Sequence, residues 1–405
     1  MHRAASIAFC ILLSAIALPS RAAEITEVLD AFEEDKPIDV RARLEYVYDR
    51  QSAQITREYV DNGVRKDVRE LDYSGSKGGF RIRLDLGVFR DLALFVTVPV
   101  YDTISNGYSF AQDVGEDKTD VSNENSSLLN QEALDLPGQD EANDEKIQLI
   151  PQPPLTQKRS GFGDLEAGIR WGAISNYDDV YSPSLTFQFK YTAPTGARMN
   201  PSDGATDTGS GGVSPSVHDL AFTIAMSRRV NNYVDPYVAL EYHLPIAASD
   251  SLILPQQWGN FKAGSDFHIF RDAKHAFSLG MFVLTAYHGE ADADYSEVTD
   301  IIRRTSRIEQ YLSLGGGIEA YGEFFRYGFA GFSVEVLHDR PHLLTATYYG
   351  QDKENRATKE KDGTISPNSN EFNPRFYRYF DEPGRRLSIE NSLHWILAFH
   401  LGVQY

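Results

Sequence analysis

Arginine recurs in pairs two residues apart, Arg41 with Arg43 and Arg81 with Arg83, and acids recur at the same spacing in Asp164 and Glu166. In a strand, residues two apart share a face, so each pair is a local patch of like charge. Glu241, Asp266, Glu309, Glu319 and Glu335 extend the negative set, and His394 and His400 join the positive one. A metal centre needs histidines or acids at ligand spacing, but His218, His243, His268, His394 and His400 are scattered, with no i, i+2 pair. A Ser-His-Asp site stays open to residues distant in the chain, although the stretch 103–107 has no histidine beside its serine. The chemistry left is electrostatic: fixed charges on a wall past which solutes move. No cofactor is implied.

Such a wall is built of strands, and the stretch 393–405 shows one plainly. Leu393, Trp395, Leu397, Phe399, Leu401, Val403 and Tyr405 are apolar, His394, Ala398, His400, Gly402 and Gln404 alternate with them, and only Ile396 breaks the rhythm. A period of two over that length puts one face in an apolar medium and the other in a polar one. A strand tilted about 45° crosses a bilayer in roughly 9 to 11 residues, which this stretch supplies.

The rhythm returns along the chain. Val40, Ala42, Leu44 and Tyr46 oppose Arg41, Arg43 and Glu45; Ile82, Leu84 and Leu86 oppose Arg81, Arg83 and Asp85. Asp61-Asn62-Gly63 is a hairpin signal between these two strands, and Arg90-Asp91 is a tight turn into a third. Counting on through 164–171, 184–193, 220–226, 238–244, 261–269, 277–287, 312–320 and 330–336 to the last strand gives twelve. The connections after even-numbered strands are short. Most of those after odd-numbered ones are long, the longest being 102–160, acidic and read as a solvated loop, and 339–386. That parity matches periplasmic turns and extracellular loops. Tyr101, Trp171, Tyr191, Tyr233, Tyr287, Tyr321, Tyr327, Trp395 and Tyr405 fall near strand ends, where an interfacial girdle belongs. The fold class is therefore all-β: an antiparallel up-and-down transmembrane β-barrel of about 12 strands over residues 38–405.

The formal charge of -19 and the lack of basic runs exclude nucleic acid as a partner. Residues 1–22 read as a signal peptide: Arg3 is the positive start, 4–18 the apolar region and Ser20-Arg21-Ala22 the cleavage site. Cys10, the one cysteine, would leave with it. In 23–37, Ile25, Val28, Leu29 and Phe32 stand at i, i+3, i+4 and i+7, which predicts a short amphipathic helix ended by Pro37. That segment is either a frayed periplasmic tail or a small plug in the barrel mouth.

The last strand resembles the closing strand of bacterial outer-membrane barrels. In those proteins the alternating apolar residues and final aromatic, here Trp395, Phe399, Leu401, Val403 and Tyr405, serve as an assembly signal. The resemblance implies outer-membrane lipid and the barrel-assembly machinery as partners, and the bacterial outer membrane as the location after export. Gly161-Phe162-Gly163-Asp164, Gly168-Ile169-Arg170-Trp171 and Ala193-Pro194-Thr195-Gly196 are similar to the family of meta-pathway phenol-degradation transporters. This second likeness covers some 35 residues and implies hydrophobic or aromatic solutes. The expected function is passive uptake of small solutes. A non-conducting surface-interaction barrel is the alternative, and an outer-membrane hydrolase the third reading.

Closing the barrel would set strands twelve, one and two side by side, gathering Arg41, Arg43, Arg81, Arg83, His394 and His400 into a basic wall. Asp164, Glu166, Glu241, Asp266, Glu309, Glu319 and Glu335 would form an acidic wall. Either these charges pair as salt bridges that fill the lumen, or they set a transverse field across an aqueous pore.

Overall fold

The computed structural model describes the chain apart from residues 1–23, 30, 34–35, 62, 115–117, 123, 127, 129–152, 176–181, 200–211, 232, 248–253, 273–274, 293–305, 326 and 348–380. The proposed signal peptide and most of the 339–386 segment thus lie outside the described residues. The strands are β1 Ala31–Glu33, β2 Lys36–Ile38, β3 Val40–Asp61, β4 Val64–Phe89, β5 Leu92–Phe110, β6 Leu155–Phe162, β7 Leu165–Ile174, β8 Ser184–Ala193 and β9 Val217–Ser227. They continue with β10 Val234–Ala247, β11 Trp258–Arg271, β12 Ala276–His288, β13 Ala291–Asp292, β14 Arg307–Ile308, β15 Tyr311–Phe324, β16 Gly328–Asp339, β17 His342–Leu343 and β18 Leu387–Gln404.

β6 and β7 both pair with β5 and form two legs of one stave, interrupted at Gly163 and Asp164. Twelve staves then follow one another antiparallel, and the ring closes where β18 pairs with β16 on one edge and β3 on the other. Closure satisfies every edge, which is what allows a sheet to sit in lipid.

Alternation decides what each face meets. Along β12, Leu279, Met281 and Val283 are exposed while Gly280 and Phe282 are buried. Leu84, Leu94, Ile169, Phe222, Leu240, Phe261, Ile318, Phe332, Phe399 and Leu401 continue the exposed apolar set around the barrel. In water such a belt would drive aggregation; against hydrocarbon it is the outer face a transmembrane barrel needs. Phe89, Trp171, Tyr233, Phe325, Tyr327 and Tyr405 edge the belt at the turn end. About ten residues up the staves, Tyr242, Tyr287 and Trp395 edge it again, with the Tyr242 and Tyr287 hydroxyls donating to Gln257 and Gln310. That spacing is one bilayer crossing. Two residues expected in the girdle face inward instead: Tyr101 lies under Lys77, and Tyr321 packs toward Phe329 and His400.

The expected strand lengths were too short at the outer end. β3 has 22 residues and β4 has 26, about twice what crossing requires. Their hairpin runs to a tip at Gly63, whose φ of 77° suits glycine. On this extension the inward positions turn from charged to apolar. Ala53, Ile55, Leu71, Tyr73, Tyr108, Leu387 and Ile389 form a buried cluster, joined by Leu128 and Leu344 from connecting segments. The 102–160 segment is therefore not simply a solvated loop. Strand structure persists to Phe110 and resumes at Leu155, and Leu128 is wholly buried beside Ser126, which donates to Glu70.

Ahead of the barrel, the helix predicted by the apolar spacing is replaced by a single 3-10 turn, Glu24–Thr26, followed by the β1–β2 ladder. The cause is tertiary. Ile25 packs against Tyr237 and Phe282, and Leu29 is buried, so the apolar residues seek separate sockets on the barrel's inner wall and do not share one stripe.

Candidate functional site

The inner face of the barrel carries the candidate site, and period two explains its content: on the staves, charged residues such as Arg81, Arg83, Glu241 and Glu319 alternate with lipid-facing ones. On β3 and β4, Arg41 opposes Asp85 and Arg43 opposes Arg83. The Arg83 fork grips Asp85 through Nη2 at 2.6 Å and Nε at 2.9 Å, and its guanidinium lies 4.0 Å above the Phe95 ring. Arg81 reaches across to Glu166 at 2.9 Å, with Glu45 at 3.9 Å. Arg41 bonds Gln404 at 2.7 Å and Glu27, from the segment ahead of the barrel, also at 2.7 Å.

Arg170 on β7 joins this group. It donates to Gln188 at 2.9 Å and to the Glu27 carbonyl at 3.1 Å. Thr26 completes the contact, its hydroxyl 2.6 Å from that of Ser227 and its carbonyl accepting from Thr186 at 2.9 Å. Residues 25–29 therefore lie inside the barrel, touching staves on several sides.

The opposite wall is acidic with cations interspersed. Glu319 accepts from the Tyr237 hydroxyl at 3.0 Å and meets Lys262 at 3.4 Å. Lys262 Nζ stands 3.8 Å over the Phe282 ring and 5.5 Å over Tyr237. Gly264 and Gly317 make room for these rings, since a Cβ at either would collide with them. Glu241 bonds His243 at 3.0 Å and Asn260 at 3.1 Å, and Asp266 faces Asp235 across the β10–β11 ladder. Glu335 faces Gly317 on β15 and Ile396 on β18. Near the turn end, Arg229 clamps Asp235 at 2.6 Å, with His268 on the same carboxylate at 2.9 Å.

Two of the acids assigned to the lumen serve connecting segments. Asp164 accepts from the Gly196 amide and the Ser214 hydroxyl, pinning the break between β6 and β7. Glu309 accepts from the Leu343 amide. Glu45, Asp85 and Glu166 stand among the arginines, so the two walls are mixed rather than pure.

His400 lies against Gly331. His394 sits between Asp339 at 3.0 Å and Asp49 at 3.3 Å, while Ser313 and Ser392 donate to Asp339. A nucleophilic triad places the histidine between serine and acid. Here the acid is in the middle, which fixes the imidazole and does not activate a hydroxyl. Above this level His243, Trp258, His288, Tyr311 and His342 stack in succession across neighbouring strands. Sequence reasoning missed Arg170, Lys262 and Glu27. The first two have inward parity and were legible; nothing local to Glu27 signals its partner.

No family model and no curated protein matches the chain. Among solved structures it is similar to an outer membrane channel from Pseudomonas putida F1, at 12% identity over 90% of this chain and 95% of that one, with a TM-score of 0.39. A Pseudomonas aeruginosa FadL homologue shares 10% identity over 91% and 90%, TM-score 0.31. The outer membrane protease OmpT of Escherichia coli shares 8% over 94% and 100%, TM-score 0.31. With scores this low, the functional argument rests on this chain's own residues.

Proposed function

We propose that this chain is a channel of the bacterial outer membrane that admits small solutes by passive diffusion, reached after export directed by residues 1–22 and assembled through recognition of β18. One observation carries the reading: the lumen wall is charged and polar through the membrane-spanning level, and a short segment at 25–29 occupies part of it. A barrel serving only as a surface scaffold has no need of a charged interior partly occupied by a separate piece of chain. The similarity of 161–196 to the phenol-degradation transporters supports hydrophobic or aromatic solutes as the cargo class.

The test is planar-bilayer conductance, with parallel solute flux in liposomes, for the intact barrel and for one lacking residues 24–36. Conductance that rises on deletion is the expected result. Silence from both proteins in both assays sinks the channel reading. The surface-interaction reading, which rests on the acidic connecting segments, would then stand.

A further inference from the structure

We propose that the lumen contains a binding site for small organic monocarboxylates, and that Glu27 and Ile25 occupy it in this structure as an internal stand-in. The inference deepens the channel reading and rests on it for biological sense, but its geometry is independent of conductance.

The carboxylate half of the site is explicit. Glu27 Oε1 lies 2.7 Å from Arg41 Nη2, and the two side chains are only 12% and 10% exposed. Gln404 holds Arg41 from behind with bonds of 2.7 and 3.2 Å, while its own amide donates to Asp39 at 2.9 Å. Arg170 takes the Glu27 carbonyl at 3.1 Å. A pre-oriented guanidinium fork of this kind matches a carboxylate better than a monatomic anion.

Charge balance gives the reason an anion would replace Glu27. Arg170 is within electrostatic reach of Arg41, Arg43, Arg83 and Asp85, and Asp85 is already gripped by Arg83. Withdrawing Glu27 takes from Arg41 the carboxylate it meets at 2.7 Å, in a lumen where burying uncompensated charge is costly. A solute bearing a carboxylate restores the balance.

The apolar half lies two residues earlier, where Ile25 packs on Tyr237 and Phe282. Ile25 lies in the Glu24–Thr26 3-10 turn and Glu27 directly follows it; at a rise of about 2 Å per residue the two sockets are close enough to suit one small molecule with an apolar body and a terminal carboxylate. Lys262, over both rings, adds a second positive charge on that side.

The probe is hexanoate, with hexanol as its uncharged counterpart and chloride as a bare anion. Each is titrated calorimetrically into the full barrel in detergent, as wild type, as Glu27→Gln and as Glu27→Gln with Arg41→Gln. Glu27→Gln should tighten hexanoate roughly ten-fold, the worth of one charge-assisted contact, with hexanol unchanged. Adding Arg41→Gln should remove the gain. An equal gain for hexanol means the segment merely loosened, and a gain that survives Arg41→Gln means the anion binds elsewhere; either overturns the proposal. If the double variant fails the heat-modifiability test for folding, chloride decides: a gain for chloride equal to that for hexanoate overturns the site, and a gain for hexanoate alone upholds it. A barrel that is silent in conductance yet binds hexanoate in this charge-dependent way would sink the channel reading and leave the site standing.

Discussion

Val40 and Tyr405 exchange backbone hydrogen bonds, 3.0 Å from the Val40 amide to the Tyr405 carbonyl and 2.9 Å in return. The ring of staves is thus zipped shut at its turn end, where the Tyr405 side chain also stacks on Tyr327 at 6.3 Å. Backbone and side chain are separable here. Tyr405→Ala should keep the hydrogen-bond pair and lose only the girdle ring, whereas deleting Tyr405 loses both. The yield of heat-modifiable barrel should fall more for the deletion than for the substitution. Equal yields would mean that closure does not depend on this pair.

The register of β18 makes a sharper prediction. Phe399 is 48% exposed on the lipid face, opposite Tyr46 and Phe332, while the His400 ring lies against Gly331 in the lumen. Phe399→Arg should therefore cost about 2 to 4 kcal/mol near the midplane, and His400→Gln should assemble almost normally. Comparable losses in urea titrations of the two variants would place the strand one residue out of register.

Orientation follows from the same closure. The Glu124 region continues the outer end of β5, and Asp272 lies in the turn between β11 and β12. An epitope at Glu124 should be labelled on intact cells, and one at Asp272 only after the outer membrane is breached. Labelling of both on intact cells reverses or abolishes the assigned topology.

Much of this was legible in the sequence because a strand's period is two and its medium is sharply divided. Parity alone assigns Phe399 outward and Arg41 inward, and the strand count follows from turns such as Arg90-Asp91. What was not legible depends on tertiary partners. Nothing near Leu128 distinguishes a buried leucine from a solvated one, and its place is fixed by Ile55, Tyr73 and other members of the outer cluster. The 23–37 segment was misread as helical because its apolar spacing fits a stripe as well as it fits separate sockets. The lumen charges are assigned to walls by strand order, but pairing depends on side-chain reach past the neighbouring stave, as Arg81 on β4 passing over β5 to Glu166 on β7 shows.

His342 offers a test by pH. It sits in β17, beyond the membrane level, stacked 3.7 Å from Tyr311 and bonded through Nδ1 to the Arg340 carbonyl. Burial pushes its pKa below the usual 6.5, outweighing the Arg340 carbonyl and the Asp339 and Glu309 carboxylates that pull upward. A histidine whose folded pKa is depressed binds its proton more readily when unfolded, so its contribution is whole above about pH 6.5 and is lost as pH falls through the folded value. His342→Phe, which keeps the stacking, should lose less thermal stability than wild type between pH 8 and pH 5. An identical pH dependence for the two proteins would refute this account.

The arginine pairs separate filling charges from working ones. Arg83 and Asp85 are 14% and 12% exposed and bonded to each other, so Arg83→Gln takes the bidentate fork from a buried carboxylate that Arg41 still faces across the ladder, and should cost about 1.5 to 3 kcal/mol. Arg81 differs: its side chain is 40% exposed and spans Glu166 and Glu45. Solvent already screens it in part, so Arg81→Gln should assemble better than Arg83→Gln while leaving Glu166 and Glu45 without this cation on the lumen wall. In bilayers the reversal potential under a salt gradient should then shift toward cations. Unchanged ion preference with intact assembly would mean that ions do not pass this level of the wall. Misassembly of Arg81→Gln as severe as that of Arg83→Gln would make both arginines part of the barrel's packing.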